Sequence, residues 1–193
     1  PFAIVRASIG SDWPQTRGST GMGQAGAGAR NGARGWSVDD SLALYNVGAW
    51  GSGYFSINAA GHVVVRPDTS EAHEIDLHEV VEGLQARDLA APLAVRLPDI
   101  LAHRLRHLHD AFAQAIAENE YRNRYAAVFP IKVNQQRLVV EEVYRCGEEF
   151  NFGLEAGSKP GLLAVMALTE GAPDRMIICN GFKDDSYIEA VIL

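Results

Sequence analysis

The chain has 193 residues, of which 47% are hydrophobic and 21% are charged, and its formal net charge is -7. These values are typical of a globular protein with one ordinary core, and they exclude a chain that is disordered throughout. The acidic balance argues against a nucleic-acid or anionic-membrane partner, because those surfaces are bound by clustered Lys and Arg. We therefore expect the partner to be a small molecule.

The two cysteines, Cys146 and Cys179, lie far apart in a sequence that lacks the basic-then-apolar order of a secretory signal. We expect both to be reduced thiols of a cytoplasmic protein. No run of about eighteen apolar residues is present, so no membrane-spanning helix is predicted. The chain begins with Pro1 and stops inside an amphipathic pattern, and we expect it to be a fragment that is inactive by itself.

The beginning of the chain is rich in glycine and polar residues. Residues 14–35 contain almost no large apolar side chain, so residues 1–35 are predicted to form a disordered, Gly-rich tail. Residues 36–92 are predicted to form a β-rich segment of an accessory β-domain, with one short helix. This divides the first half of the chain into two regions of different character.

Within the β-rich segment, 54–55 and 63–65 are predicted strands, because aromatic and β-branched residues flank a turn rich in Asn and Gly. We expect the whole stretch 36–67 to fold as short strands. A change to helical spacing follows, and Asp76 is the predicted cap of a helix over 76–87.

From residue 93 onward, short apolar runs alternate with helical patterns. Helices are predicted from Pro98, over 135–145, from a Ser158 cap to 168, and from Asp184 onward. The apolar runs at 93–97, 126–133, 150–155 and 176–179 are typical of strands in parallel sheets. The predicted fold class is α/β, with residues 93–193 forming the first three βα units of a truncated (β/α) barrel of the triosephosphate-isomerase type.

Active sites in such folds lie at the carboxyl ends of the strands, so the polar residues that end each apolar run are candidates. These residues are Lys132 and Asn134, Glu155 and Ser158, and Asn180 and Lys183. Lys132 follows a strongly apolar run, and burial favours the neutral amine that attacks an aldehyde. Pro130 cannot donate a ladder hydrogen bond and predicts a bulge that turns Lys132 inward. From the residue types alone, a structural salt bridge is the commoner explanation of a strand-end lysine, and this alternative stays open.

Two other patterns have simpler explanations. Glu155 can pair with Lys159 instead of contacting a ligand. His103 and His107 have the one-turn spacing of a two-histidine metal site, but no third ligand is suitably placed, so we predict a solvated helix face and no metal site.

The stretch AVFPIKVNQ around Lys132 resembles the cofactor-lysine strand of the fold-type III pyridoxal-phosphate enzymes, the alanine racemase and ornithine decarboxylase superfamily. Within that superfamily, FPIKVNQ, GLEAGSK, ICNGFKD and the earlier WGSGYFSINAAGH are similar to the biosynthetic arginine decarboxylases. The resemblance covers residues 36–193, with the motifs in the same order.

This resemblance implies a carbon-carbon lyase that converts L-arginine to agmatine and carbon dioxide, a step toward putrescine and spermidine. It implies pyridoxal 5'-phosphate as cofactor, with Lys132 as the catalytic lysine and with Lys132, Glu155 and Asn180 as cofactor-binding residues. Lys183 is implied to support the same strand end as Asn180. The family also implies a requirement for Mg2+ and a homo-oligomer, either dimer or tetramer.

Three alternatives remain at this point. A decarboxylase for ornithine, lysine or diaminopimelate would share Lys132 and the barrel. A non-catalytic pyridoxal-phosphate-binding barrel would also share them, although the aromatic and glycine-rich segment 36–66 argues against it, since a lone barrel does not need a preceding β-domain. The third is a structural fragment that binds nothing when isolated.

Overall fold

The structure, a computed structural model, describes residues 3–6, 35–170 and 174–192. The chain divides into two compact units, residues 1–97 and 98–193. Residues 3–6 form a strand, so the predicted disordered tail is wrong there. The other residues of the predicted tail, apart from residue 35, lie outside the described ranges. No helix in the described ranges has the length and apolar character needed to cross a bilayer.

Unit 1 combines short strands with short helices. Its elements in chain order are β1 Ala3–Arg6, α1 Val38–Leu44, α2 Val47–Gly51, β2 Phe55–Ile57, β3 Val63–Val65, a 3-10 turn Glu71–His73, β4 Ile75–Asp76, α3 Leu77–Gln85 and β5 Leu93–Arg96. Strands β2, β3 and β4 form an antiparallel sheet, and β1 pairs with β5 in parallel. The predicted hairpin and the Asp76-capped helix are confirmed.

The two helices α1 and α2 occupy a stretch that the sequence pattern predicted as strand. The Ser37 hydroxyl accepts the Asp40 N–H at 3.3 Å, and the Asp40 carboxylate accepts the Ser37 N–H at 2.8 Å. This reciprocal capping satisfies donors that a helix start leaves free. Asn46 then turns the chain in the left-handed conformation, at φ 50°, before α2 begins. Local capping therefore outweighs the alternating pattern in this stretch.

Unit 2 has the predicted alternation of strands and helices. Its elements are α4 Pro98–Glu118, β6 Val128–Pro130, a 3-10 turn Ile131–Val133, α5 Arg137–Cys146, a 3-10 turn Glu148–Phe150, β7 Gly153–Ala156, α6 Lys159–Thr169, β8 Ile177–Cys179 and α7 Asp185–Ile192. The three strands are parallel and lie in the order β6-β7-β8. The α/β fold class is confirmed, and the strand order is that of three consecutive units of a (β/α) barrel. The predicted domain limits at 36–92 and 93–193 stay predictions.

The core of unit 2 surrounds the central strand β7, whose four residues are all buried. Helices α5, α6 and α7 and the 3-10 turn after β6 contribute the remaining apolar side chains. The buried cluster consists of Ile131, Val140, Leu154, Ala156, Leu162, Val165 and Tyr187. Ser158 caps α6 as predicted, because its hydroxyl accepts the Gly161 N–H at 3.3 Å.

One arginine joins the elements at the amino end of the sheet. The Arg175 guanidinium donates to the Phe152 carbonyl from Nε at 3.1 Å and from Nη2 at 2.5 Å, and from Nη2 to the Tyr144 carbonyl at 2.7 Å. It also lies 4.0 Å from the centroid of the Tyr144 ring. We call Arg175 with Tyr144 and Phe152 the arginine clamp. It ties the end of α5 to the segments that lead into β7 and β8.

Candidate active site

Lys132 lies just beyond the carboxyl end of β6. The sequence predicted a strand over 126–133, but the strand ends at Pro130, and residues 131–133 form a 3-10 turn. Proline has no N–H with which to extend the ladder, so the strand stops where the sequence predicted a bulge. Ile131 is buried and Lys132 is exposed, so the prediction of a buried amine is wrong in this structure.

Glu155 is held at the end of the neighbouring strand. It pairs in register with Pro130 and is only 7% exposed. Its Oε1 atom is buried and has no hydrogen-bond partner among the described residues. Lys159, the partner considered from sequence, donates to the Ser186 hydroxyl at 2.8 Å instead. Since an unsatisfied buried acceptor costs about 1–3 kcal/mol, Glu155 is costly to stability unless another group binds it.

The turn at Gly157 lies close to both Lys132 and Glu155. A Cβ atom built on Gly157 would lie 3.6 Å from Glu155 Oε1 and 3.9 Å from Lys132 Cδ. The lysine stem and the buried carboxylate therefore flank one turn, directly after β7. The structure thus brings together two of the three site residues that the sequence predicted.

A second glycine packs against this turn. Gly181 has φ +80°, and a Cβ atom there would lie 2.6 Å from the Gly157 carbonyl oxygen. The chain after β8 therefore meets the chain after β7 backbone to backbone, which only glycine at position 181 permits. Both glycines were missed as site residues, although each lies inside a motif, GLEAGSK or ICNGFKD, just after a predicted strand.

Asn180, the third predicted site residue, organises the turn after β8. Its backbone N–H donates to the Ala156 carbonyl at 2.8 Å, and its side-chain oxygen accepts the Gly181 N–H at 2.8 Å. The Lys183 amine donates to the Gly181 carbonyl at 2.8 Å. The described contacts of Asn180 and Lys183 thus shape the turn, as expected for residues that support a site floor. Direct contact between Asn180 and a cofactor stays a prediction.

Comparison with known proteins shows which class of protein this segment is similar to. Residues 103–192 match the family described as pyridoxal-dependent decarboxylase, pyridoxal binding domain. The matched segment includes the Lys132 turn, the end of β7 and the turn after β8. Residues 103–192 are therefore similar to the pyridoxal binding domain of the pyridoxal-dependent decarboxylases.

The particular relatives are biosynthetic arginine decarboxylases. The chain is 50% identical over 161 residues to that of Parasynechococcus marenigrum and 51% identical over 160 residues to that of Phocaeicola vulgatus. Each match covers 83% of this chain and 25% of the relative, so the chain spans a quarter of their length. The crystal structure of the biosynthetic arginine decarboxylase SpeA from Campylobacter jejuni matches with a TM-score of 0.66 at 32% identity, covering 75% of this chain and 24% of that one. The resemblance carried by the four motifs is confirmed.

The residues of the site fit a pyridoxal cofactor, which presents an aldehyde to the protein. The Lys132 amine has no hydrogen bond or ion pair to another described residue, so it is free to react. The unpaired Glu155 Oε1 is an acceptor for a donor on a bound group. Gly157 and Gly181 leave the floor between them without side chains.

The same residues do not fit a magnesium ion. Within the described ranges, no group of three or more His, Cys, Asp or Glu side chains is arranged to hold a metal. The rings of His103 and His107 lie 6.4 Å apart by centroid.

Proposed function

We propose that this chain supplies the cofactor lysine and three βα units of a pyridoxal-phosphate-dependent decarboxylase that converts L-arginine to agmatine and carbon dioxide. The observation that carries the proposal is the free amine of Lys132 beside the buried, unpaired Glu155 carboxylate at the carboxyl end of a parallel sheet. The relatives named above, which are biosynthetic arginine decarboxylases at about 50% identity, support arginine as substrate.

Each residue of the site has a separate role toward the cofactor. When bound, the cofactor supplies the electron sink that accepts the electron pair left by departing carbon dioxide. Lys132 would hold the cofactor through its amine, which must lose a proton before it condenses with an aldehyde, and the aldehyde oxygen would leave as water. Glu155 provides the buried carboxylate beside the lysine stem. We propose that this carboxylate accepts the proton from the amine and orients it. Asn180 and Lys183 hold the turn that closes the floor.

The wider role follows from the relatives and is part of the proposal. We propose that agmatine formation serves putrescine and spermidine synthesis in the cytoplasm, in a homo-oligomer with a small-molecule substrate and no nucleic-acid or membrane partner. We propose that the magnesium requirement implied by the family is met outside the described residues of this chain.

The substrate is tested in a chimera in which residues 36–193 replace the matching quarter of the Phocaeicola vulgatus enzyme. With pyridoxal phosphate present, we expect carbon dioxide release from L-arginine and none from ornithine, lysine or diaminopimelate. Release from ornithine without release from arginine would overturn the substrate assignment. The 193-residue chain alone is expected to release none.

The lysine is tested in the 193-residue chain by borohydride reduction after incubation with pyridoxal phosphate, followed by peptide mass mapping. We expect label on Lys132, complete loss of that label in Lys132→Ala, and unchanged label in the matched variant Lys183→Ala. In the chimera, Lys132→Ala should also abolish decarboxylation. Label that moves with Lys183 would show that the site is misplaced.

A further inference from the structure

Tyr187 lies at the base of the candidate site, in the first turn of α7. It is 1% exposed and is part of the core cluster around β7. Its hydroxyl donates to the Ala156 carbonyl at 3.2 Å. Nothing in the sequence motifs separates this tyrosine from an ordinary core aromatic, because its partner is a backbone atom distant along the chain.

The carbonyl that Tyr187 binds has a special position. It accepts two donors, the Tyr187 hydroxyl at 3.2 Å and the Asn180 N–H at 2.8 Å. It belongs to the peptide that joins Ala156 to Gly157, which is one residue after Glu155. This is the turn that both Glu155 Oε1 and the Lys132 stem flank. The two donors therefore fix the backbone on which the Glu155 carboxylate is mounted.

Tyr187 is itself held firmly and keeps its proton. Its N–H donates to Asp184 Oδ1 at 2.8 Å, and this bond lowers the pKa of Asp184, with help from the Ser186 hydroxyl. Burial raises the pKa of Tyr187, and the neighbouring Cys179 thiol and Glu155 carboxylate act in the same direction. The phenol therefore stays a hydrogen-bond donor throughout the neutral and mildly alkaline range.

We propose that Tyr187 is a positioning residue of the cofactor site: its hydroxyl holds the Ala156–Gly157 peptide and, through it, the Glu155 carboxylate beside Lys132. This inference rests on the proposed function, because it takes Glu155 as the acceptor of the Lys132 proton. A phenylalanine would fill the same space in the core without burying a hydroxyl, so the hydroxyl is explained by the bond it makes.

The same unit provides a matched control. The Tyr144 hydroxyl is also buried, but it has no hydrogen-bond partner among the described residues. Removing it by Tyr144→Phe deletes an oxygen that holds nothing. Tyr187→Phe deletes an equivalent oxygen that holds a site peptide.

The experiment measures the rate of covalent pyridoxal-phosphate attachment to Lys132 in the 193-residue chain, with urea unfolding of the apoprotein as a second readout. Tyr187→Phe should slow attachment about 5- to 10-fold, the equivalent of one net hydrogen bond, and Tyr144→Phe should leave the rate within about twofold. Para-aminophenylalanine at position 187 keeps a donor at the ring tip and should restore the rate. If para-aminophenylalanine at position 187 does not restore the rate, the proposal is overturned. This holds even if Tyr187→Phe unfolds the chain.

A double-mutant cycle separates positioning from general loosening of the core. If Tyr187 acts through Glu155, Tyr187→Phe should not slow attachment further once Glu155→Gln is present. Independent, multiplicative effects of the two substitutions overturn the role of Tyr187 and leave the proposed function standing. Wild-type attachment by Glu155→Gln alone overturns the assigned role of Glu155 and the inference together.

Discussion

The two ends of the parallel sheet in unit 2 use charged side chains in opposite ways. At the amino end, the arginine clamp places a guanidinium on two backbone carbonyls and an aromatic ring. At the carboxyl end, the Lys132 amine and the buried Glu155 Oε1 have no partner among the described residues. One end of this sheet therefore stabilises the fold, while the other keeps unpaired groups for a ligand.

The amino end should show the largest loss of stability when its charge is removed. Arg175→Ala deletes three charge-assisted hydrogen bonds and leaves two carbonyls without their donor, so the free energy of unfolding should fall by about 3 kcal/mol. Urea unfolding followed by circular dichroism measures this change. Arg122→Ala, at an exposed arginine of the same unit, should change it by less than about 0.5 kcal/mol. Equal effects of the two substitutions would contradict a stabilising clamp.

The glycine contact at the carboxyl end comes next in size. In Gly181→Ala, the alanine must adopt a φ of +80°, and its Cβ atom would lie 2.6 Å from the Gly157 carbonyl oxygen. The substitution should therefore lower the free energy of unfolding by about 2 kcal/mol. Gly61→Ala is the matched control, because Gly61 has φ +85° and open space around the new Cβ. It should cost only about 1 kcal/mol. A difference near zero would show that the turn after β7 moves aside freely.

Glu155 offers the reverse test, since removal of a charge at the carboxyl end should stabilise the fold. Glu155→Leu replaces a buried carboxylate oxygen that lacks a partner, so the free energy of unfolding should rise by about 1 kcal/mol, while cofactor attachment slows. Glu142 is the matched residue: it is also buried, but it accepts from Arg145 and from the Cys146 thiol. Glu142→Leu should lower the stability. Destabilisation by both would mean that Glu155 is paired in solution.

The smallest expected effect is a pH dependence at Cys146, on α5, the helix that also carries Tyr144 of the clamp. Burial, followed by the hydrogen bond to Glu142, raises the pKa of the Cys146 thiol to about 11 from its ordinary value of 9.0. Between these values the unfolded chain loses this proton while the folded chain keeps it. Folding stability should therefore fall as pH rises from 9 to 11. Cys146→Ala should show a shallower fall in urea midpoint over that range, and identical slopes would contradict the shift.

Sequence patterns predicted the parts of the molecule that depend on neighbours in the chain. The alternation of apolar runs and helical spacing predicted the elements of unit 2, and the short motifs predicted Lys132 and Glu155. The helix that Ser37 caps was missed, because the two reciprocal capping bonds between Ser37 and Asp40 outweigh the alternating pattern. The exposure of Lys132 was missed because Pro130 ends the strand earlier than its apolar neighbours suggest.

The missing parts of the site share a different cause. The contact between Gly157 and Gly181, and the bond from Tyr187 to the Ala156 carbonyl, join residues that are far apart in the chain. Both involve backbone atoms, whose partners leave no residue-type signature. Such contacts become visible only when register places two strand ends side by side.

The strand order of unit 2 has a consequence for how the chain acquires its structure during synthesis. Because β6, β7 and β8 lie side by side in the order in which they are made, each new strand needs only the strand just before it. The contacts that build the sheet therefore join consecutive βα units, which lets each unit dock on the preceding one as the chain leaves the ribosome. Glu155 then takes its position beside Lys132 as soon as β7 pairs with β6. The hydrogen bond from Tyr187 to the Ala156 carbonyl forms only later, after α7 has been synthesised.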